Sequence, residues 1–134
     1  MMKKSNKKGF TLVELIVVIA IMAILAAVLV PTVTNKIDDA NKSAAKSDIQ
    51  SAAKAISLYI AENETVTRAT IEALPEVVAL SNLAGSYSGA ITYDPAATTA
   101  GAETVMTITL KKGDNIVSET DGGLKVEVKL GKGI

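Results

Sequence analysis

Glu14 is the one charged residue between Lys8 and Lys36, and it stands in an otherwise apolar run. An ionised carboxylate at depth in apolar surroundings costs about 3 kcal/mol, so a side chain placed there needs a partner. Two kinds are within its reach: the N–H groups of a helix N-terminus, which favour a carboxylate, and a cationic amine. Elsewhere the chain offers little chemistry. It has no His and no Cys, which removes Ser-His-Asp and Cys-His arrangements and the usual zinc ligands. Gly85, Ser86, Tyr87, Ser88 and Gly89 have the outline of a nucleophile elbow, but tyrosine stands where serine would have to, and the stretch reads as a turn. No glycine precedes a Gly-Lys-Ser/Thr at phosphate-loop spacing. Asp114, Glu119 and Asp121 surround one loop and carry oxygens suited to calcium, yet their spacing matches no calcium loop and reads as solvated turn. No pair of carboxylates is singled out for glycoside cleavage. The chain is therefore read as not an enzyme, with no catalytic residues, no metal and no cofactor.

The element that positions Glu14 is the run itself. As a helix at about 1.5 Å per residue, residues 12–30 cover roughly the 30 Å of a bilayer's hydrocarbon core. Lys3, Lys4, Lys7 and Lys8 precede it and, by the positive-inside rule, hold that end on the cytoplasmic side, which leaves residues 32–134 outside. Lys8, Gly9, Phe10, Thr11, Leu12 and Glu14, followed by the apolar stretch, closely resemble the class III signal and N-terminal helix of type IV pilins and pseudopilins. The resemblance covers about a fifth of the chain. An ordinary secretory signal with a small-residue cleavage site at Leu25, Ala26 and Ala27, or a plain membrane anchor, fits the same hydropathy but leaves Glu14 unexplained.

The resemblance implies a membrane peptidase that cuts between Gly9 and Phe10, N-methylation of Phe10, and assembly through Phe10 and Glu14. The new amine of Phe10 meets a neighbouring subunit's Glu14, or the Glu14 of its own chain, four residues on. It implies a structural subunit of a type IV pilus that polymerises through its N-terminal helix and serves adhesion, motility or surface interaction. Its partners are other pilin subunits in a homopolymer, the prepilin peptidase, the pilus assembly machinery and, before assembly, the membrane. The expected location is a single pass of the inner membrane before assembly and an extracellular filament after it. A pseudopilin of a type II secretion or DNA-uptake machine is the alternative, and a membrane-anchored binding domain that never assembles is a third reading. In the major pseudopilins of type II secretion a C-terminal loop binds calcium, which brings the loop of Asp114, Glu119 and Asp121 into question again.

Composition fits an exported subunit. The 134 residues carry 14 basic and 14 acidic side chains. Removing a leader of residues 1–9 takes away 4 lysines and leaves 10 basic residues, a balance of −4, which argues against general nucleic-acid binding. Without cysteine, no disulfide can help the outer part fold.

Past Pro31 the helical period continues through Val33, Ile37, Ala40, Ala44, Ile49, Ala52 or Ala53, Ile56 and Ile60. This predicts one long helix, kinked or loosened at Pro31. Residues 62–90 read as a connecting loop with a short helix near 70–74. Alternation then predicts strands at 90–93, 104–110, 115–118 and 124–130, with hairpin turns at 112–115 and 121–123 and a frayed end at 131–133. The expected fold is α+β, a long N-terminal helix packed on a C-terminal antiparallel sheet in the pilin ladle arrangement. The expected divisions are a leader at 1–9, a membrane and filament-core helix at 10–31, and an outer domain at 32–134 whose helical half runs over 32–61. Asn41-Lys42-Ser43 and Asn63-Glu64-Thr65 are glycosylation sequons, unmodified in most bacterial proteins. Ala20, Ala23 and Ala27 either let helices approach closely or simply fill the helix.

Overall fold

The structure is a computed structural model and describes residues 8–94 and 103–132. Helix α1 spans Leu12–Glu62, α2 Arg68–Glu72 and α3 Pro75–Ala79. Strands β1 (Tyr87–Tyr93), β2 (Glu103–Lys112), β3 (Asn115–Ile116) and β4 (Lys125–Lys132) follow, with a 3-10 turn over Glu119–Asp121. The chain falls into two compact units, one ending at Ile37 and one beginning at Asp38.

In the second unit the later turns of α1 pack against an antiparallel sheet, so the fold is α+β as the sequence predicts. Strand β2 is central, with β1 along one edge and β4 along the other. Met106, Ile108 and Leu110 alternate inward from β2 and meet Ala45, Ile49, Ala52, Ala53 and Ile56 of α1 in one core, joined by Val128 and Leu130. Residues 62–90 do more than connect. Thr67 and Thr70 form a reciprocal capping box that starts α2, Pro75 starts α3 with its fixed φ, and Ile71, Val77, Leu80 and Leu83 are buried in the same core. Arg68 lies 4.1 Å from the Tyr93 ring centroid, and the Tyr93 hydroxyl donates to Glu72 at 2.9 Å. Burial, then the Glu72 contact, pushes the Tyr93 hydroxyl up to about 12.

Three sequence expectations are corrected. The buried stripe of α1 passes through Ala45 and not Ala44, while Val33, Ile37, Ala40 and Ala44 are exposed. Ahead of Ala45 the partly covered positions are polar: Asp38, Asn41 and Lys42. Their partners are turns with polar groups to offer, so an apolar pattern cannot reveal this part of the face. Asp38 accepts from Lys112 at 2.8 Å and from the Tyr87 hydroxyl at 3.2 Å, and Asn41 lies against Gly85, where an added Cβ would sit 2.8 Å from its Nδ2.

Second, the turn at 121–123 is not a hairpin. Strand β3 pairs only with Lys111 and Lys112. The Val117 N–H donates to the Leu110 carbonyl at 2.9 Å, and the Leu110 N–H to the Leu124 carbonyl at 3.0 Å. So β3 and β4 lie end to end along one edge of β2. Third, Gly131 and Lys132 belong to β4, paired with Thr104 and Glu103 across a bulge where Gly131 takes φ +96, a conformation that glycine reaches without strain. Gly133 lies outside the described residues.

Two measurements check this architecture. A fragment starting at Thr34 should be soluble and melt cooperatively by circular dichroism, indifferent to reducing agent; Ile108→Ala should cost it about 2–5 kcal/mol, and Leu58→Ala, at an exposed site, under about 0.5 kcal/mol. The Lys112 hydrogen bond lowers the Asp38 carboxyl below its usual range. Its contribution to stability is therefore present above the unfolded-state pKa, about 3.9, and is lost as pH falls through the folded value. Asp38→Asn should melt below the parent at neutral pH, and the gap should close below about pH 4.

Candidate functional site

Residues 8–37 are exposed throughout, including Phe10 at 93% and every Leu, Ile and Val from Leu12 to Val33. The first turns of α1 are apolar on all faces, and these side chains stand exposed. By length and composition this helix is able to cross a membrane.

Lys8, Gly9, Phe10 and Thr11 precede the helix and have no regular structure. The helix thus begins at Leu12, two residues later than the sequence reading of 10–31. Thr11 is its N-cap: its carbonyl accepts the first helical bond, from the Leu15 N–H at 3.2 Å. The Glu14 N–H donates to Thr11 Oγ1 at 3.2 Å, and the Thr11 N–H donates to Glu14 Oε2 at 2.8 Å. This is a complete capping box, with two N–H groups satisfied reciprocally at a helix end where the dipole favours an anion. The sequence shows its signature as Thr11-Leu12-Val13-Glu14. Thr11 belongs to the site, a role the sequence reading gave only to Phe10 and Glu14.

The Gly9 to Phe10 bond lies ahead of the cap in irregular backbone, and among the described residues no atom beyond its chain neighbours comes within 4 Å of a Cβ built at Gly9. Past the middle of the exposed helix, Pro31 is held within α1. The Thr32 hydroxyl donates to the Val28 carbonyl at 3.0 Å and the Thr34 hydroxyl to the Pro31 carbonyl at 3.0 Å, local bonds of the kind that supplement a helix ladder beside proline.

The other sequence candidates are dispersed. Tyr87, the centre of the elbow-like stretch, is buried in β1. Asn63 is exposed, its side-chain amide donating to the Tyr59 carbonyl at 2.8 Å. Asp114 lies between β2 and β3, whereas Glu119 and Asp121 lie in the 3-10 turn. Among the described residues, no three His, Cys, Asp or Glu side chains converge on a common point that would hold a metal.

A family model described as the prokaryotic N-terminal methylation motif matches residues 4–30. The chain is 42% identical over 62 residues to type II secretion system core protein G of Pseudomonas aeruginosa, covering 46% of this chain and 44% of that protein. It is 35% identical over 85 residues to core protein G of Escherichia coli, covering 62% and 59%. To the type IV wide pilus major component PilA4 of Thermus thermophilus it is 44% identical over 62 residues, covering 46% and 47%. The chain thus spans about half the length of the relatives it matches. No solved structure is a significant match. The methylation motif lies over the exposed helix and its capped carboxylate, and both pilus and secretion subunits are among the relatives, so the comparisons support a type IV pilin and pseudopilin family.

Proposed function

We propose that the protein is a structural subunit of a type IV pilus, cut between Gly9 and Phe10, N-methylated at Phe10 and polymerised through the N-terminal helix. The observation that carries this reading is a bare apolar helix whose single carboxylate is held at its N-terminal cap. Before the cut the nitrogen of Phe10 is a neutral amide, and Glu14 caps its own helix. The cut turns that nitrogen into an ammonium, and a carboxylate accepts at both oxygens, so Glu14 can take a neighbour's amine while its helix end stays capped. In the membrane or the filament interior, where little water competes, this charge pair fixes the register of one subunit on the next. Pro31 kinks the helix where the membrane part ends. The subunit stands in the inner membrane before assembly and in an extracellular filament after it, and its partners are copies of itself, the prepilin peptidase and the assembly machinery. Adhesion, motility or surface contact is its service to the cell.

The match to core protein G of Escherichia coli, the longest of the three in both chains, favours a second reading: a pseudopilin of a type II secretion or DNA-uptake machine. Electron microscopy of sheared surface material, with mass spectrometry of the filaments, separates the two. Long surface filaments built of this chain support the pilus. Their absence, with loss of protein export or DNA uptake on deletion, supports the pseudopilin.

Processing is tested by the mass of the mature protein, which should begin at Phe10 with one added methyl group. A start at Val28, after the small residues, would assign it to ordinary secretion instead. Gly9→Val should leave the uncut precursor in the membrane, because a branched side chain crowds the peptidase cleft.

Glu14→Val should insert in the membrane as well as the parent, since it removes an anion. Filament yield should fall to about a tenth or less, the change that ~1.4 kcal/mol per contact implies. Parental filament yield from this variant would rule out the register mechanism. Glu14→Asp, with the charge kept and the reach shortened, should lie between them.

A further inference from the structure

The family resemblance brings a calcium ion to the loop between β3 and β4, and the geometry here does not suit one. Asp121 is engaged within its own turn at one carboxylate oxygen and at its N–H. Its carboxylate Oδ2 accepts from the Ser118 hydroxyl at 2.7 Å, and its N–H donates to Ser118 Oγ at 3.2 Å and to the Ser118 carbonyl at 3.0 Å. Ser118 Oγ also lies 2.8 Å from Thr120 Oγ1. The Asp121 carbonyl takes a hydrogen bond from Lys42 Nζ at 3.3 Å. Lys46, one helical turn further along α1, brings a second ammonium to within 3.8 Å of where a Cβ on Gly122 would be, and the Lys42 stem runs beside it at 4.0 Å. An ammonium on this carbonyl satisfies the oxygen and, with the second ammonium beside the turn, repels a dication.

We propose that the β3–β4 loop is held closed by a cation the chain supplies itself, the Lys42 ammonium on the Asp121 carbonyl, and takes no calcium. The remaining closure is backbone. The Gly123 N–H donates to the Ser118 carbonyl at 2.7 Å, and a Cβ at Gly123 would run into the Val117 carbonyl oxygen, so the two arms of the loop touch directly. Only glycine allows that approach. The lysine then ties this closed loop to α1, on the same polar face that holds Asp38 and Asn41 against their turns. A subunit built this way folds its outer unit without drawing a metal from its surroundings.

The test is thermal unfolding of the full chain in detergent micelles, in millimolar calcium and in EDTA, alongside calcium titration calorimetry. The parent should melt at one temperature in both and release no heat of calcium binding. Lys42→Met should melt about 2–5 °C lower in both solutions, and Lys42→Arg, which keeps a cationic donor, should recover most of that loss. A calcium-dependent rise in the parent's melting temperature, or saturable calcium binding to it, overturns the proposal. So does Lys42→Met melting with the parent. Should Lys42→Met fail to fold, the parent's response to calcium and the recovery by Lys42→Arg still decide.

Discussion

Exposed apolar surface along the first turns of α1 is the constraint on which the rest depends. Fully burying a Leu, Ile or Val side chain is worth about 1.5–3 kcal/mol, and from Leu12 to Val30 each of these side chains stands exposed. Such a segment calls for a cover from outside the described residues, and on the proposed reading membrane residence and assembly are two answers to the same energetic demand. Within it one carboxylate is tolerated because it sits at the first turn, where Thr11 and the helix end supply N–H donors. Moved a few turns along, the same charge would meet only side chains and saturated backbone.

The second unit solves the opposite problem, closing a small core without cysteine. Ile49, Ile56, Ile71, Leu80, Met106, Ile108, Leu110 and Leu130 are almost fully buried, and this packing carries the stability. The polar contacts at Asp38, Asn41 and Lys42 are surface pairs, each of modest worth in water. Their effect is geometric. They fix one stretch of helix against the turn before β1, the end of β2 and the 3-10 turn, so that residues too polar for the core still have a defined seat.

The N-terminal motif was legible because it is local: a charge in an apolar run, a glycine, an aromatic residue and a cap signature at fixed spacing. The strands were legible for the same reason, since a period of two survives in β2 and β4 whatever their partners. What escaped was decided by tertiary partners. Ala44 and Ala45 are indistinguishable in a pattern of small residues, and the neighbouring Asp38, Asn41 and Lys42 pointed the pattern the wrong way. Val117 and Ser118 look like strand, but the edge of β2 beyond Leu110 belongs to β4, so β3 stops at Ile116. Gly131 reads as a frayed end because glycine in a strand weakens it, yet here a bulge uses its positive φ. Val77, Leu80 and Leu83 lay past the one short helix expected near 70–74, in a segment whose signals were too short to read as a second helix.

The order of events on the proposed route follows from charge. An uncut chain has no ammonium at Phe10, so a neighbour's Glu14 gains nothing by approaching it, and the carboxylate rests in its own capping box. Cutting creates the cation one residue ahead of the donor that Glu14 already holds. Intrachain and interchain pairing then compete for one carboxylate, and the interchain pair is favoured as copies concentrate and the apolar helices bury one another's surface. Thr11 engages one carboxylate oxygen and leaves the other open to a neighbour, and without it an uncompensated anion would burden every subunit waiting in the membrane. A cap of one charge-assisted bond at 2.8 Å and one neutral bond at 3.2 Å is weaker than a salt bridge in a dry interior and stronger than no partner. That intermediate strength is what a subunit needs if it is to be stored in one environment and assembled in another.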